Sequence, residues 1–262
     1  MANIIDKYYQ TRASVREAVK TLRTNVQFSG ADQEIKTIML TSPSASTGKT
    51  SVSSFLGIAF AETGKTVLLV ETDFRRPNLG NVFRQRSQIG LLQVLYGEAS
   101  IKDAAVETRQ KGLYLMDCGG KKVANPVEVI NSNRFTGFVQ RARDLYDIVI
   151  FDTPPLGAFI EPALLAAKTD GTILVLQPGR VQNNIAQAVV EQLHKANANI
   201  LGAVFNNCKS TNSDHYYYYY RYYNKNVGGG EGSSDRAAGG KKRMSNMLKK
   251  KVSARPGGMD QE

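Results

Sequence analysis

Residues 37–50 read TIMLTSPSASTGKT, and this stretch decides the fold class. Thr37–Thr41 is a short apolar run that predicts a buried strand, and Thr50–Glu62 has the spacing of a helix with small residues on one face. Between them, the loop ends in Gly48-Lys49-Thr50. A strand, a loop ending in Gly-Lys-Thr and a helix form the setting of a phosphate-binding loop, where backbone N–H groups at the helix start hold a polyphosphate.

Six consecutive residues of this loop are candidates for nucleotide binding: Ser46, Thr47, Gly48, Lys49, Thr50 and Ser51. Lys49 would reach the β- and γ-phosphates of ATP, and Thr50 would offer its hydroxyl to Mg²⁺. The motif G-x-x-x-x-G-K-[ST] expects glycine where Pro43 stands, and Ser46 occupies a position often held by glycine. A second triplet, Gly64-Lys65-Thr66, precedes a strand and not a helix, so we interpret it as a chance match.

Carboxylates follow two further strands. Asp152 follows Asp147–Phe151, and the carboxyl ends of parallel strands face the crevice where ligands bind. Asp152 is therefore a candidate Mg²⁺ ligand; the alternative is that it caps the turn that Pro154-Pro155 requires. Glu71 and Asp73 come after another apolar strand, two residues apart, so both can face the same crevice.

Apolar runs alternate with helical patterns along the chain. The further strands are predicted over Thr66–Val70, Gly112–Asp117, Asp147–Phe151, Thr172–Leu176 and Ile200–Phe205, and helices over Asn133–Leu145 and Asn183–Ala196. Runs of Val, Ile and Leu bounded by helices indicate strands buried on both faces, and hence a parallel sheet. The predicted fold class is α/β: a three-layer P-loop NTPase-like domain with a mostly parallel sheet and a flexible basic C-terminal tail.

Taken together, residues 41–50, 67–77 and 147–155 resemble the three nucleotide-site motifs of the bacterial protein-tyrosine kinases, above all the separate kinase subunit of the Gram-positive capsule and exopolysaccharide type. The resemblance implies an ATP- and Mg²⁺-dependent tyrosine kinase. Catalysis would rest on Lys49, Glu71, Asp73 and Asp152, with Thr50, Asp73 and Asp152 holding Mg²⁺. Asn206 resembles an adenine-contacting asparagine, although Asn207 beside it leaves the choice open. Glu71 stands where the family usually has Asp.

A cluster of tyrosines follows the last predicted strand. Seven of the 12 tyrosines lie within eight residues: Tyr216, Tyr217, Tyr218, Tyr219, Tyr220, Tyr222 and Tyr223. An aromatic strand would be bounded by further core, and a platform for single-stranded nucleic acid would interleave several basic residues, whereas only Arg221 is present. We therefore interpret the cluster as autophosphorylation sites, as the resemblance also implies, and expect no nucleic-acid partner.

The amino-terminal helix, predicted over Ser14–Phe28, has two readings. Val15, Val19, Leu22 and Val26 form one apolar stripe, and Ser14 with Glu17 fits a capping box. In the related kinases, Glu-x-x-Arg-x-x-Arg on this helix makes contacts between subunits of a ring. Here the matching residues are Glu17, Lys20 and Arg23, so Glu17 is a candidate for either role and Arg23 is assigned to an oligomer interface.

Charge is unevenly distributed. The formal net charge is +11, and residues 224–262 hold nine basic and four acidic residues with few large apolar ones. Such a segment cannot bury enough surface to offset its ordering entropy. We predict a kinase domain over residues 1–209, the tyrosine cluster over 210–223 and a disordered basic tail over 224–262. No apolar run reaches the ~18 residues that span a bilayer, which predicts a cytoplasmic protein.

The resemblance also implies partners: a transmembrane polysaccharide co-polymerase adaptor that recruits the kinase to the inner face of the membrane, a homo-oligomeric ring and a cognate tyrosine phosphatase. Two alternatives remain. One is a partitioning or septum-positioning ATPase switch, although those proteins carry a lysine where this chain has Ser44. The other is a nucleotide-binding scaffold without kinase activity, which Pro43 and Glu71 keep open.

Overall fold

The computed structural model describes residues 3–30, 34–120 and 123–208. The predicted tyrosine cluster (210–223) and the predicted basic tail (224–262) lie outside the described residues. The helices and strands are, in chain order, α1 (Ile4–Gln10), α2 (Ala13–Phe28), β1 (Thr37–Thr41), α3 (Lys49–Ala61), β2 (Val67–Glu71), α4 (Leu79–Phe83), α5 (Leu91–Tyr96), α6 (Ile101–Ala104), β3 (Val106–Glu107), β4 (Leu113–Met116), α7 (Pro126–Asn131), α8 (Asn133–Leu145), β5 (Ile148–Asp152), α9 (Glu161–Ala166), β6 (Gly171–Leu176), α10 (Asn183–Lys195) and β7 (Ile200–Phe205).

The strands form one sheet in the order β3-β4-β2-β5-β1-β6-β7. Every pairing is parallel except that of β3 with β4, which is antiparallel. The predicted α/β fold with a mostly parallel sheet is therefore confirmed. Because β1 lies between β5 and β6, the loop after β1 opens where the strand order reverses, which is where open α/β sheets bind ligands.

Helices cover both faces of the sheet, so its central strands are buried on two sides. Ile38 and Leu40 of β1 belong to the hydrophobic core on the face of α2 and α3, whereas Met39 belongs to the core on the face of α5 and α8. This alternation follows from the period of two along a strand. It explains why the strands read as continuous apolar runs, and it gives the three layers that the sequence predicts.

Two strands end one residue later than predicted. β2 ends at Glu71 and β5 at Asp152, so both carboxylates are the last residues of their strands. The start of each strand shifts because Asp147 Oδ2 accepts hydrogen bonds from the backbone N–H and the hydroxyl of Thr66, both at 2.8 Å. Thr66 and Asp147 thus bond each other just before β2 and β5 begin, and Thr66 O also accepts from the Ile148 N–H at 3.2 Å.

The reading of Ser14 and Glu17 as a capping box is wrong. α2 begins at Ala13 with Arg12 as the N-cap, so Ser14 lies inside the first turn. The predicted apolar stripe is also shorter than expected, because Val15 is 39% exposed. Val26 is buried, and Val19 and Leu22 pack against the core beside it.

Several short elements were not predicted: the helices α1, α4, α5, α6, α7 and α9 and the two-residue strand β3. Each has seven residues or fewer, which is too short to show a periodic pattern. α9 is relevant to the site because it begins at Glu161, shortly after β5 in the chain. Among the described residues, the longest apolar helix falls short of what a membrane crossing requires.

Candidate nucleotide and metal site

The loop between β1 and α3 has the backbone of a phosphate-binding loop. Gly48, the N-cap of α3, has a φ of 89°, and Ser46 has a φ of 59°. Ser46 thus adopts the left-handed conformation that explains the usual preference for glycine at its position. At Pro43, the close approach involves a glycine elsewhere in the chain: the Pro43 carbonyl oxygen would lie 2.0 Å from a Cβ on Gly157. The glycine required at this approach is therefore supplied by the loop after β5.

Lys49 lies at the start of α3 and is only 8% exposed. Its Nζ donates a hydrogen bond to Ser42 Oγ at 3.1 Å. Burial lowers the pKa of the Lys49 ammonium, and the nearby carboxylates, Asp152 foremost, act in the opposite direction. The cation is thus held in a largely dry loop, where its interaction with a bound polyphosphate is stronger than it would be in water.

Asp152 accepts two hydroxyl contacts from α3. Thr50 Oγ1 donates to Asp152 Oδ2 at 2.7 Å, and Ser53 Oγ lies 3.1 Å from Asp152 Oδ1. Asp152 is therefore turned towards the phosphate loop, and the alternative that it caps the Pro-Pro turn is wrong. The sequence signal for Ser53 is its spacing: it stands three residues after Thr50, on the same face of α3.

This donor set suits magnesium that arrives with a nucleotide. In the part of the chain that the structure describes, no three His, Cys, Asp or Glu side chains gather closely enough to hold a metal ion. Mg²⁺ in nucleotide sites commonly has one or two carboxylate ligands and takes the rest from phosphates and water. The Thr50 hydroxyl and the Asp152 carboxylate, already 2.7 Å apart, fit that requirement.

Glu71 is fully buried, and its contacts differ from those of a free base. Oε1 accepts from the backbone N–H of Asp73 at 3.1 Å, and Oε2 accepts from those of Asn78 and Leu79 at 2.6 and 2.9 Å. Burial raises the pKa of Glu71, and the neighbouring Asp152 charge raises it further. Glu71 thus holds residues 73–79 in place, and its predicted share in catalysis stays a prediction.

Asp73 lies half-buried in the loop after β2. Its Oδ1 accepts from the backbone N–H groups of Arg75 and Arg76, at 3.2 and 2.9 Å, so one carboxylate oxygen shapes a turn. The charge of Asp73 also acts on the pKa values of Lys49 and Asp152, which places it near both. Its predicted share in metal binding stays a prediction.

Asn206 follows β7 and contacts the phosphate loop directly. Its Nδ2 donates to the carbonyl oxygen of Thr47 at 2.8 Å, and its backbone N–H donates to Leu176 O at 2.8 Å. A Cβ on Gly48 would lie 2.1 Å from Asn206 Nδ2. Asn206 therefore fastens the phosphate loop to the end of β7, in addition to any contact with adenine, which stays a prediction.

The three α2 residues predicted for subunit contacts do not behave alike. Lys20 Nζ donates to Glu17 Oε1 at 2.8 Å, and both side chains are about half exposed. Arg23 instead turns inwards, where its Nη1 donates to the carbonyl oxygen of Ala59 near the end of α3 at 3.0 Å. Arg23 thus stabilises the end of α3, and the predicted place of all three residues in an oligomer interface stays a prediction.

The loops after β2 and β5 are joined by a contact that the sequence analysis missed. Arg75 Nε and Nη2 both donate to Glu161 Oε1, at 3.0 and 2.7 Å. The available signals were an arginine two residues after Asp73 and an acidic residue opening a helix. Neither indicates that the two residues meet.

A substitution of Asp152 tests whether its buried carboxylate lowers the stability of the fold. Burial raises its pKa to about 6. An acid with a higher pKa in the folded chain than in the unfolded chain binds more protons when folded, so the protein loses stability as pH rises between about 4 and 6. We expect Asp152→Asn to be more stable than wild type at pH 7.5, by about 1–3 kcal/mol.

The measurement is urea unfolding of both proteins at pH 7.5 and at pH 5. The stability difference should shrink at pH 5, because Asp152 is then largely protonated. Asp144→Asn, at the exposed end of α8, serves as a control and should change stability little at either pH. A difference between Asp152→Asn and wild type that is the same at both pH values would contradict the assignment.

Comparison with known proteins agrees with this geometry. A family profile described as an AAA domain matches residues 12–205. Tyrosine-protein kinase YwqD of Bacillus subtilis is 33% identical over 193 residues, which cover 74% of this chain and 81% of that protein. The kinase domain of the Escherichia coli tyrosine kinase ETK superposes with a TM-score of 0.69 at 27% identity, covering 80% of this chain and 90% of that domain.

A more distant structural match is the septum site-determining protein MinD of Pyrococcus horikoshii, solved with Mg-ADP. Its TM-score is 0.56 at 27% identity, and the match covers 65% of this chain and 69% of that one. The fold is therefore shared with a septum site-determining protein, whereas the matches to the kinases cover more of both chains. The chain belongs to the bacterial tyrosine-protein kinases, built on an AAA-type P-loop domain.

Proposed function

We propose that this kinase transfers the γ-phosphoryl group of ATP to the tyrosines of its own cluster, Tyr216–Tyr220, Tyr222 and Tyr223. The observation that carries the proposal is the 2.7 Å contact between Thr50 Oγ1 and Asp152 Oδ2, with the buried Lys49 on the same helix turn. Phosphoryl transfer needs mainly positioned charge and oriented reactants, and these residues supply both.

Each residue has a distinct part. Backbone N–H groups at the start of α3 hold the phosphates, and the Lys49 ammonium stabilises the charge that develops on the transferred group. Thr50 and Asp152, with Asp73 nearby, would hold Mg²⁺, which would supply further charge neutralisation on the phosphates. Glu71 fixes the loop that carries Asp73, so that the acceptor tyrosine meets an ordered edge. Asn206 keeps the phosphate loop in its binding conformation.

The cellular setting follows from the family. We infer that a transmembrane polysaccharide co-polymerase adaptor brings the kinase to the inner face of the membrane, where it regulates capsular or exopolysaccharide synthesis. A ring of copies, with Glu17, Lys20 and Arg23 on its contact surface, would present tyrosines to neighbouring sites. A cognate phosphatase would reset the cluster.

The alternatives make different demands on the same site. An ATPase switch of the septum-positioning type is favoured by the MinD likeness alone, and Ser44 stands in place of the lysine of that class. A scaffold without activity was suggested by Pro43 and Glu71. The structure accommodates both residues: Gly157 leaves room for the Pro43 carbonyl, and Glu71 accepts hydrogen bonds from three backbone N–H groups.

The test is to incubate the purified chain with ATP, Mg²⁺ and a cytoplasmic segment of the adaptor, and to map phosphotyrosine by mass spectrometry. We expect modification confined to the cluster, and none in Asp152→Asn. Hydrolysis of ATP without phosphotyrosine would favour the switch, and nucleotide binding without turnover would favour the scaffold.

A further inference from the structure

Ser53 is a buried serine whose hydroxyl lies within reach of three oxygens. It stands in the second turn of α3 and is fully buried. Its Oγ lies 3.1 Å from the carbonyl oxygen of Lys49, 3.2 Å from that of Thr50 and 3.1 Å from Asp152 Oδ1. A serine hydroxyl has one proton to donate, and a charged acceptor gives the stronger bond. The carboxylate of Asp152 is therefore the preferred acceptor.

The next residue of the chain, Ser54, is a buried serine on the same helix without a carboxylate beside it. It is fully buried, and its Oγ donates to the carbonyl oxygen of Thr50, one turn back. Such a bond to the preceding turn is a common contact of serine inside a helix. Among the described residues, Ser54 makes no hydrogen bond with Asp152. The contact with Asp152 is therefore the feature that distinguishes Ser53 from its neighbour.

Asp152 is held at both of its carboxylate oxygens by hydroxyls of one helix. Its Oδ2 accepts from Thr50 Oγ1 at 2.7 Å, and Ser53 Oγ lies against its Oδ1. Residues three apart on a helix are neighbours on its surface, so both contacts come from the same side of α3. The terminal torsion of an aspartate is broad, and a contact at one oxygen leaves the carboxylate free to turn. The second contact removes that freedom.

Resting on the proposed function, in which Thr50 and Asp152 hold Mg²⁺, we infer that Ser53 is a positioning residue for the metal site. Its hydroxyl keeps the Asp152 carboxylate oriented while the Thr50 hydroxyl serves the ion. Mg²⁺ demands near-ideal octahedral geometry and has few protein ligands in nucleotide sites, so the orientation of one carboxylate strongly affects its affinity. Removal of a group that orients a metal ligand typically lowers metal affinity by about 10- to 100-fold.

The alternative is that Ser53 only bonds the preceding turn of its own helix, as Ser54 does. Alanine at either position should then have the same small effect, and the affinity for metal should not change. The two serines give a matched comparison, because the residue type, the burial and the helix are the same and only the contact with Asp152 differs. A difference between the two alanine variants therefore reports on that contact.

The first test measures nucleotide binding without phosphoryl transfer. The probe is a fluorescent, non-hydrolysable ATP analogue, and its Kd for the full chain is measured once with Mg²⁺ in excess and once with EDTA. Wild type should bind the analogue more tightly with Mg²⁺. We expect Ser53→Ala to raise the Kd measured with Mg²⁺ about tenfold and to leave the Kd measured in EDTA unchanged. Ser54→Ala should change neither value.

A second variant separates the hydroxyl from the space that the side chain fills. Ser53→Thr keeps a hydroxyl that a helix accommodates, and it should hold the Kd measured with Mg²⁺ within about threefold of wild type. The inference is overturned if Ser53→Ala binds the analogue with Mg²⁺ as tightly as Ser54→Ala does. It is also overturned if folded Ser53→Thr binds the analogue no better than Ser53→Ala.

Turnover separates positioning from a general disturbance of the helix. In phosphotyrosine formation, Ser53→Ala should raise the Mg²⁺ concentration that gives half the maximal rate about tenfold. Saturating Mg²⁺ should then restore the rate to within about threefold of wild type. A rate that is lowered equally at every Mg²⁺ concentration would overturn the inference, because additional metal cannot correct a displaced helix.

Failure of the inference and failure of the proposed function give different results. If Asp152→Asn loses the gain in affinity that Mg²⁺ provides and Ser53→Ala keeps it, the metal site stands and the inference fails. If wild type binds the analogue equally well with Mg²⁺ and with EDTA, both fail. A chain that shows the effect of Ser53→Ala on binding but forms no phosphotyrosine would refute the proposed function and leave the part of Ser53 standing.

Discussion

Lys49→Met should lower the rate of tyrosine phosphorylation by about 100-fold or more, because it removes the cation that stabilises charge on the transferred phosphoryl group. Methionine has nearly the length of lysine and tolerates burial, so the fold should persist at a position that is only 8% exposed. The hydrogen bond from Nζ to Ser42 Oγ would also be lost, at small cost. The measurement is the initial rate of phosphotyrosine formation at saturating ATP.

The chain supplies its own control for that experiment. Lys65, in the second Gly-Lys-Thr triplet, has a side chain that is 43% exposed and lies 3.9 Å from Asp147 at the opposite edge of the sheet. A surface pair of this kind contributes little stability. Lys65→Met should therefore retain nearly full activity. If Lys49→Met forms phosphotyrosine as fast as Lys65→Met, Lys49 has no part in the transfer.

Glu71→Ala should cost both stability and activity. It leaves three backbone N–H groups, those of Asp73, Asn78 and Leu79, without their acceptor. Part of that cost is offset because the substitution also removes a buried charge. We expect the free energy of unfolding to fall by about 2–4 kcal/mol, and the phosphorylation rate to fall at least about tenfold, because the loop that carries Asp73 and Arg75 loses its anchor.

Two further variants identify the cause. Glu71→Asp shortens the side chain by one methylene and should lose the bonds to Asn78 and Leu79, so its stability should lie between those of wild type and Glu71→Ala. Glu128→Ala, on an exposed site of α7, should change neither quantity. If Glu71→Ala unfolds like Glu128→Ala and yet has no activity, Glu71 acts in proton transfer and not in holding the loop.

The geometry of the candidate nucleotide site was largely predictable because its main residues are adjacent in sequence. The helix that follows was enough to predict the positions of Gly48, Lys49 and Thr50. The end of a buried strand was enough to predict that of Asp152. The contacts of Glu71 could not be predicted, because its partners are backbone N–H groups of a loop whose path depends on Glu71 itself. Asn206 was assigned to adenine from the family pattern, and its bond to Thr47 joins residues 159 positions apart.

Strand boundaries failed for a local reason. Thr66 and Asp147 are ordinary strand-flanking residues, yet their side chains bond each other across the start of β2 and β5. Such side-chain pairs leave no periodic pattern in the sequence, so they cannot be predicted from periodicity. Similarly, the capping box at Ser14 matched its motif, but the N-cap is Arg12, two residues earlier, and Glu17 pairs with Lys20 instead.

The close approach of Gly157 to the Pro43 carbonyl has a thermodynamic consequence. The phosphate loop and the segment that leads to Phe159 are in close contact there, and the Phe159 ring lies 4.2 Å from Arg75 Cζ. A shift of the phosphate loop on binding ATP would then also displace Phe159 and Arg75. Linkage is reciprocal, so if bound ATP changes the affinity for an acceptor that contacts Arg75, the acceptor changes the affinity for ATP by the same factor.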